Sequence, residues 1–513
     1  FLALMLIITI SMNIHLIVRY RQLQNDNPDH DQLTLVKATI NKMVKPCLYT
    51  ALTTIMGFSS LVVSEIKPVI DFGWMMSAGL TVTFMTSFLL FPTLLLVMGK
   101  TKNNPAFQNE RFLLPKYLAR LTETHGNKII ILAVLLTIIS ASGISLLRVE
   151  NSFINYFSNK TEIYQGLKLI DEKLGGTTPL EIILQFEDNI EDTLTSEDLE
   201  GMTPEEIELE REYQETIASS PELWFNASKV QRIKKIHDYL NERPEIGKVL
   251  SLASSVRVAE NYAKKELDGM ELAILYTKLP KEIKNILLDP FVSIKNNEAR
   301  IMARVLDSKP DLRRNELLKT VRDDLVNKLK FEEKDITVSG LLVLYNNMLQ
   351  SLFKSQIKTI GVVMLGIAIM FLVLFRSIKL SIIGILPNLL GAGVVLGVMG
   401  WAKIPMDMMT ITIAAITIGI AVDNGIHYIY RFREEYALTN SYVETLHVCH
   451  SNIGKAVFYT TMTIIFGFSI LMISNFIPTI YFGVLTAAAM LIALLAALTL
   501  LPKLILLWKP FGG

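Results

Sequence analysis

Apolar residues fall in long charge-free blocks along this chain, with one long polar interval. Blocks at 1–14, 46–64, 72–99 and 129–147 come before the interval. Blocks at 359–375, 380–402, 408–422 and 456–502 come after it, the third continuing past Asp423 to Tyr430. A bilayer core about 30 Å thick takes roughly 20 helical residues to cross. The last block has 47 residues, too many for one crossing, and Asn475-Phe-Ile-Pro478 divides it. The pattern therefore predicts nine spans. Buried helices of a large soluble protein are a poor alternative, because they rarely run past about 20 residues without a charge. Residues 1–18 lack a basic leader and a small-residue cleavage site, and Arg19 follows directly. They read as a truncated span rather than a signal peptide.

Within the polar interval the period changes. Residues 180–187, 247–252, 299–306 and 336–339 read as short strands. Residues 162–174, 227–242, 256–267 and 312–329 read as helices. This predicts an external α+β domain over 148–355. Two stretches near 33–43 and 107–121 place apolar residues at helical spacing among basic ones, and read as helices lying on a membrane surface.

Composition refines this picture. The chain has 513 residues, 51% hydrophobic and 19% charged. A soluble domain carries about 25% charged residues. Fifty basic and 49 acidic residues leave a net charge of +1, which excludes a globally basic nucleic-acid binder. The basic residues cluster in the loops at 19–45 and 100–128, at 376–379, around Arg431 and Arg433, and at Lys503 and Lys509. The positive-inside rule makes those loops cytoplasmic. The polar interval then lies outside, in the periplasm of a diderm cell, with the membrane part in an inner membrane. Residues 187–222 hold 14 acidic residues and one basic. Such a run reads as a solvated face. Cys47 and Cys449 lie outside the interval, so it can form no disulfide of its own. It shows no metal cluster, nucleophile elbow or phosphate loop. Neither an enzyme nor a cofactor is expected.

The membrane part repeats itself. Tyr49-Thr-Ala-Leu-Thr-Thr-Ile-Met-Gly-Phe-Ser59 matches Tyr459-Thr-Thr-Met-Thr-Ile-Ile-Phe-Gly-Phe-Ser469 at an offset of 410. The offset holds for Ser64/Ser474, Pro68/Pro478, Phe72-Gly73/Phe482-Gly483 and Pro92/Pro502, with 16 identities in 44 positions. Upstream, His15 and Arg19 match His427 and Arg431, with a two-residue shift. Parallel halves are a known transporter plan. The first half shows three helices of the repeat in 1–99, joined by an amphipathic linker at 100–128. The second begins with the span at 129–147, then the external domain at 148–355, and continues with five spans in 356–508.

Gly419-Ile-Ala-Val-Asp423-Asn-Gly-Ile-His427-Tyr-Ile-Tyr-Arg-Phe-Arg-Glu-Glu435 resembles the central helix of the resistance-nodulation-division superfamily. The hydrophobe/amphiphile efflux branch, with its mycobacterial large membrane proteins and Patched-like relatives, is the nearest likeness. Thr460-Thr-Met-Thr-Ile-Ile-Phe-Gly-Phe468 resembles the next helix, and Gly340-Leu-Leu-Val-Leu-Tyr345 the re-entry from the external domain. The resemblance implies a polytopic α-helical membrane protein with a porter-like domain of split βαβ type. On that plan the chain runs from the fourth helix to the twelfth. The resemblance also implies proton-driven export of hydrophobic or amphiphilic molecules, with membrane lipids, substrate and protons as partners. A homo-oligomer or a periplasmic partner is compatible with it. A non-transporting sterol-sensing-like receptor is the alternative.

Asp423 is the acidic residue inside a span. An ionised carboxylate at membrane depth costs about 2.5–3.5 kcal/mol on insertion scales, so it needs a partner, a wet cavity or a proton. His427 lies one turn away on the same face. Thr463, and Asn388 beside Pro387, lie at comparable depth. Pro387 frees a backbone carbonyl there, and Gly419 allows close helix packing. By resemblance the proton relay falls to Asp423, with Asn424 and Thr463, and His427 passing protons. A packing role for Asp423, and an interfacial anchor for His427, are the plain alternatives. The first-half counterparts are Ser11, His15 and Thr53, so the acid is present on one side alone. We expect Asp423→Asn to abolish gradient-driven transport and Ser11→Ala to leave it nearly intact. Full transport by the Asp423→Asn protein under a proton gradient would remove Asp423 from the mechanism.

Overall fold

A computed structural model describes residues 2–100, 113–147, 152–186, 203, 224–309, 312–407 and 409–511. The chain forms two compact units: 1–151 with 349–513, and 152–348. It opens with helices α1 (Leu2–Asp26), α2 (Gln32–Ser59), α3 (Lys67–Met98) and α4 (Leu113–Ile144). The second unit then carries α5 (Glu162–Lys173), β1 (Thr178–Gln185), α6 (Ala227–Asn241), β2 (Ile246–Leu250), α7 (Leu252–Ala263), α8 (Gly269–Lys278), α9 (Lys281–Leu287), β3 (Val292–Ser293), β4 (Glu298–Val305), α10 (Arg314–Asp323) and β5 (Ile336–Ser339). Six helices finish the chain: α11 (Leu341–Phe375), α12 (Ile378–Trp401), α13 (Thr410–Thr439), α14 (Tyr442–Ser469), α15 (Ile477–Leu498) and α16 (Leu500–Trp508).

Among the described residues, nine helices are long and apolar enough to cross a membrane, α15 and α16 counting as one. The chain is a polytopic α-helical membrane protein with a small antiparallel sheet. Two boundaries differ from the sequence reading. The stretch near 33–43 does not form its own surface helix. It runs into the following span as one helix, α2, with Pro46 inside. No glycine interrupts it before Pro46, and one proline removes a single ladder bond. Residues 113–121 likewise begin α4, which kinks at His125. Residues 101–112, and the acidic stretch at 187–222 apart from Thr203, lie outside the described residues.

The repeat is structural. After α2 the chain makes a 3₁₀ turn (Ser60–Val63) and Ser64 caps it extended; after α14 it makes the same turn (Ile470–Ile473), ending at Ser474. Each serine hydroxyl accepts from the amide two residues on, Ile66 at 3.3 Å and Phe476 at 3.1 Å. Pro68 and Pro478 then sit in the first turns of α3 and α15. Phe58 meets Phe72 edge-on at 5.9 Å, and Phe468 meets Phe482 at 5.7 Å. All these pairs keep the 410-residue offset.

The halves cross through one another: α1 packs on α14, and α13 on α2. Gly57 and Gly419 are the crossing point of α2 and α13. A Cβ on Gly57 would lie 2.8 Å from the Gly419 Cα. Thr54 Oγ1 donates to the Gly419 carbonyl at 3.1 Å beside it. Small residues let membrane helices approach this closely. The crossing encloses α13, whose most apolar window is 94% buried, against 11% for α4.

In the second unit the strand order is β2-β4-β1-β5, with β3 also pairing β4, and every pairing is antiparallel. Leaving β3 aside, the β1-α6-β2 and β4-α10-β5 connections give a split βαβ sheet. Alternation builds its core. Leu180, Ile182 and Leu184 of β1 and Ile301, Ala303 and Val305 of β4 are buried with Ile233, Ile236 and Leu240 of α6. The other face carries the Arg300–Glu181 ion pair at 2.6 Å. Between β2 and β4 the structure holds three short helices where one was expected.

The glycine crossing generates a prediction. Gly57→Ala should cost about 1–3 kcal/mol through overpacking against backbone. Gly393→Ala, on α12 with nothing within 4 Å of its added Cβ, should be neutral or slightly stabilising, since alanine is the better helix former. Thermal unfolding of the detergent-solubilised protein checks both. Equal midpoints for the two variants would contradict the crossing.

Candidate functional site

Asp423 projects from the enclosed helix α13 between two histidines. His427 Nε2 lies 3.3 Å from its Oδ1, one turn along the same helix. His15 Nε2, from α1, lies 3.5 Å from its Oδ2. The imidazoles stack with centroids 4.0 Å apart and planes 12° from parallel. The side chains of His15 and His427 are 1% and 3% exposed, that of Asp423 18%. Thus the repeat-related histidines meet face to face, and one carboxylate spans both.

These contacts are longer than a well-formed hydrogen bond, whose N–H···O distance is about 2.9–3.0 Å. His15 Nδ1 and Nε2 and His427 Nε2 make no well-formed hydrogen bond.

Two small cavities flank the histidine pair. One, of about 40 Å³, is lined by Ser11, Thr50, Thr54 and Asp423 as well as both histidines. The other, of about 30 Å³, is lined by both histidines with Arg19, Lys42, Arg431 and Glu434. Each holds at most a few waters. The stacked imidazoles form the partition between them. At the second cavity Glu434 lies 3.0 Å from Arg431 Nη1 and 3.6 Å from Arg19 Nη2, tying α13 to α1. Asp423 is eight residues inside Arg431, about 12 Å along the helix.

The other residues singled out from sequence fall as follows. Ser11 shares the Asp423 cavity. Asn424 Nδ2 donates to Thr461 Oγ1 at 3.1 Å, joining α13 to α14. Thr463 Oγ1 donates back to the Tyr459 carbonyl at 2.9 Å. Thr53 Oγ1 turns to the Tyr49 and Thr50 carbonyls at 3.0 Å. Asn388 Nδ2 donates to the Gly384 carbonyl at 2.9 Å, beside Pro387 in α12. Among the described residues none of these last three hydrogen-bonds Asp423. Equal depth put Thr463 and Asn388 forward, but depth leaves the direction around the helix open. The partner on another helix is His15. Its signal was the repeat, since equivalent side chains near a pseudo-two-fold axis meet each other.

The ligating atoms of His15, Asp423 and His427 lie within 4.8 Å of one another, so the group offers a metal site by distance. The stacking argues otherwise. An ion about 2.1 Å from a nitrogen of each ring would sit between the parallel planes, off both lone-pair axes. The rings would have to turn before they could share it. One carboxylate between two imidazoles suits a proton better, since each ring faces its own carboxylate oxygen and neither has to share a point between the planes.

A polytopic helical core with two parallel, interlocked halves and an acid on its central helix is the architecture of a transporter-like membrane protein. The MMPL family model matches residues 1–121 and 244–512, and the chain belongs to that family. It is 32% identical over 154 residues to a membrane protein of Methanocaldococcus jannaschii, a match covering 30% of this chain and 40% of that protein. It is 29% identical over 153 residues to a membrane protein of Streptomyces coelicolor, covering 29% of this chain and 21% of that protein. The fold is similar to that of SecDF, a translocon-associated membrane protein from Thermus thermophilus. The TM-score is 0.52 at 12% identity, covering 99% of this chain and 54% of that chain. The matches thus span less than two thirds of the relatives' own lengths.

The cavity supplies a direct test. If the cavity is a proton path, Ser11→Leu, which fills the space beside Asp423, should slow proton entry by at least about tenfold, read with a pH-sensitive dye inside proteoliposomes. Unchanged flux in that variant would exclude this cavity as the path.

Proposed function

We propose that this protein is a proton-driven secondary transporter that exports hydrophobic or amphiphilic molecules, with lipids as the substrate class. The observation that carries the reading is Asp423, set inside the membrane core between His15 of one half and His427 of the other. A carboxylate there is costly unless it takes up a proton or a charged partner. The flanking cavities give that proton a short route along α13, and membership of the MMPL family supports the transport class. On this reading the chain has no catalytic step and needs no cofactor. The positive-inside bias supports a cytoplasmic Arg431 end, with residues 148–355 on the external side of an inner membrane.

Proteoliposomes with an imposed pH gradient test the proposal. The expected result is movement of a fluorescent amphiphile that needs the gradient, is abolished by a protonophore and is mostly lost in His15→Gln. Amphiphile binding without gradient-dependent movement would overturn the exporter reading and favour a lipid receptor.

A further inference from the structure

The second unit contains a cleft that the sheet does not need. Between β2 and β4 the chain inserts α7, α8 and α9, and these helices surround a cleft of about 690 Å³. Val256 and Ala259 of α7, Leu272 and Leu275 of α8 and Leu287 of α9 form its walls. The lining is largely apolar, yet much of it meets solvent: Tyr262 is 93% exposed, Val258 71% and Ile274 49%. Leaving apolar area in water costs about 25 cal/mol per Å², and a concave apolar surface of this kind marks a binding site.

Size and charge select the occupant. The volume lies within the roughly 300–1,000 Å³ of small-molecule sites. A partner helix about 10 Å across would fill 690 Å³ in about 9 Å of length, under two turns, so a docked helix is a poor fit. A thin flexible chain can use the whole cleft. Two charged side chains, Glu271 and Lys278, line it. Glu271 is already engaged: it accepts from the Asp268 amide at 3.2 Å and pairs with Lys265. Lys278 is exposed in the last turn of α8 and makes no ion pair among the described residues. Lys284 adds a second cation, 3.9 Å from the centre of the Tyr276 ring, and Tyr276 belongs to the wall. An apolar trough with free positive charge at its rim matches an apolar chain ending in an anion.

We propose that the α7–α9 cleft binds one long-chain amphiphile with an anionic headgroup, its chain between α7 and α8 and its headgroup at Lys278. The inference rests on the exporter reading only for the use of the site, as an external station for cargo. Binding itself needs no proton gradient.

The test uses the full chain in lipid nanodiscs and a palmitate analogue with a diazirine at the chain end. After illumination, labelled peptides are mapped by mass spectrometry. Labelling within 252–288 is expected, reduced at least about fivefold by Ala259→Trp and by excess unlabelled palmitate, and unchanged in Asp423→Asn. Labelling confined to the membrane helices, or untouched by Ala259→Trp, would overturn the site. Lys278→Glu, a surface change that leaves the walls intact, should weaken competition by palmitate but not by hexadecanol. Equal competition by both against the unmodified protein would overturn the anionic headgroup. Because Asp423→Asn separates binding from transport, labelling without transport in the unmodified protein would count against the exporter reading and leave the cleft standing.

Discussion

One carboxylate held at membrane depth governs the architecture of the helical unit. An ionised Asp423 surrounded by lipid would cost about 2.5–3.5 kcal/mol by insertion scales. The fold removes it from lipid altogether by placing α13 inside the helix bundle, where the window around it is almost wholly buried. That enclosure depends on Gly57 and Gly419, which let α2 come within backbone contact of α13. It also depends on α1, which brings His15 against the acid.

The repeat explains both the order and the imbalance of the site. Related residues recur in related places: His15 faces His427, and Arg19 and Arg431 both approach Glu434. Even the helix crossings correspond. Gly57 meets Gly419 where, in the other half, Gly467 meets Ile7. At the acid the symmetry stops, since Ser11 stands where Asp423 has its counterpart. Ser11 and Asp423 line the same small cavity. A second carboxylate there would set two negative charges against each other in a confined, poorly hydrated space, which favours protonation of one of them. A single acid with two imidazoles avoids that repulsion.

How far the sequence could be read depended on the kind of signal. Spans were legible because hydrophobic length is dictated by the bilayer. The strands at Leu180–Leu184 and Ile301–Val305 were legible because alternation reports a half-buried sheet. The repeat was legible because Gly, Pro, His and Arg recur at fixed offset. The contact of His15 with Asp423 was not drawn, although both residues were singled out, because periodicity gives depth and face but not which helices are neighbours. In the α7–α9 region the sequence showed one helix, and α8 and α9 were missed for another reason. Its short helices leave apolar residues such as Tyr262 and Ile274 in solvent, so the pattern that marks a buried face is missing where a ligand surface replaces a core.

On the proposed reading, the same geometry says how a proton could do mechanical work. His15 belongs to α1 and Asp423 to α13, so the attraction between them acts between the two halves. A charged imidazole and carboxylate about 3.5 Å apart attract by about 5 kcal/mol at an effective dielectric constant near 20. Protonating Asp423 removes that attraction and leaves two stacked rings beside a neutral acid. Moving a two-state equilibrium from one side to the other takes about 5.5 kcal/mol of differential stabilisation. The two magnitudes are comparable. On that reading a proton at this site acts directly on the contact between α1 and α13.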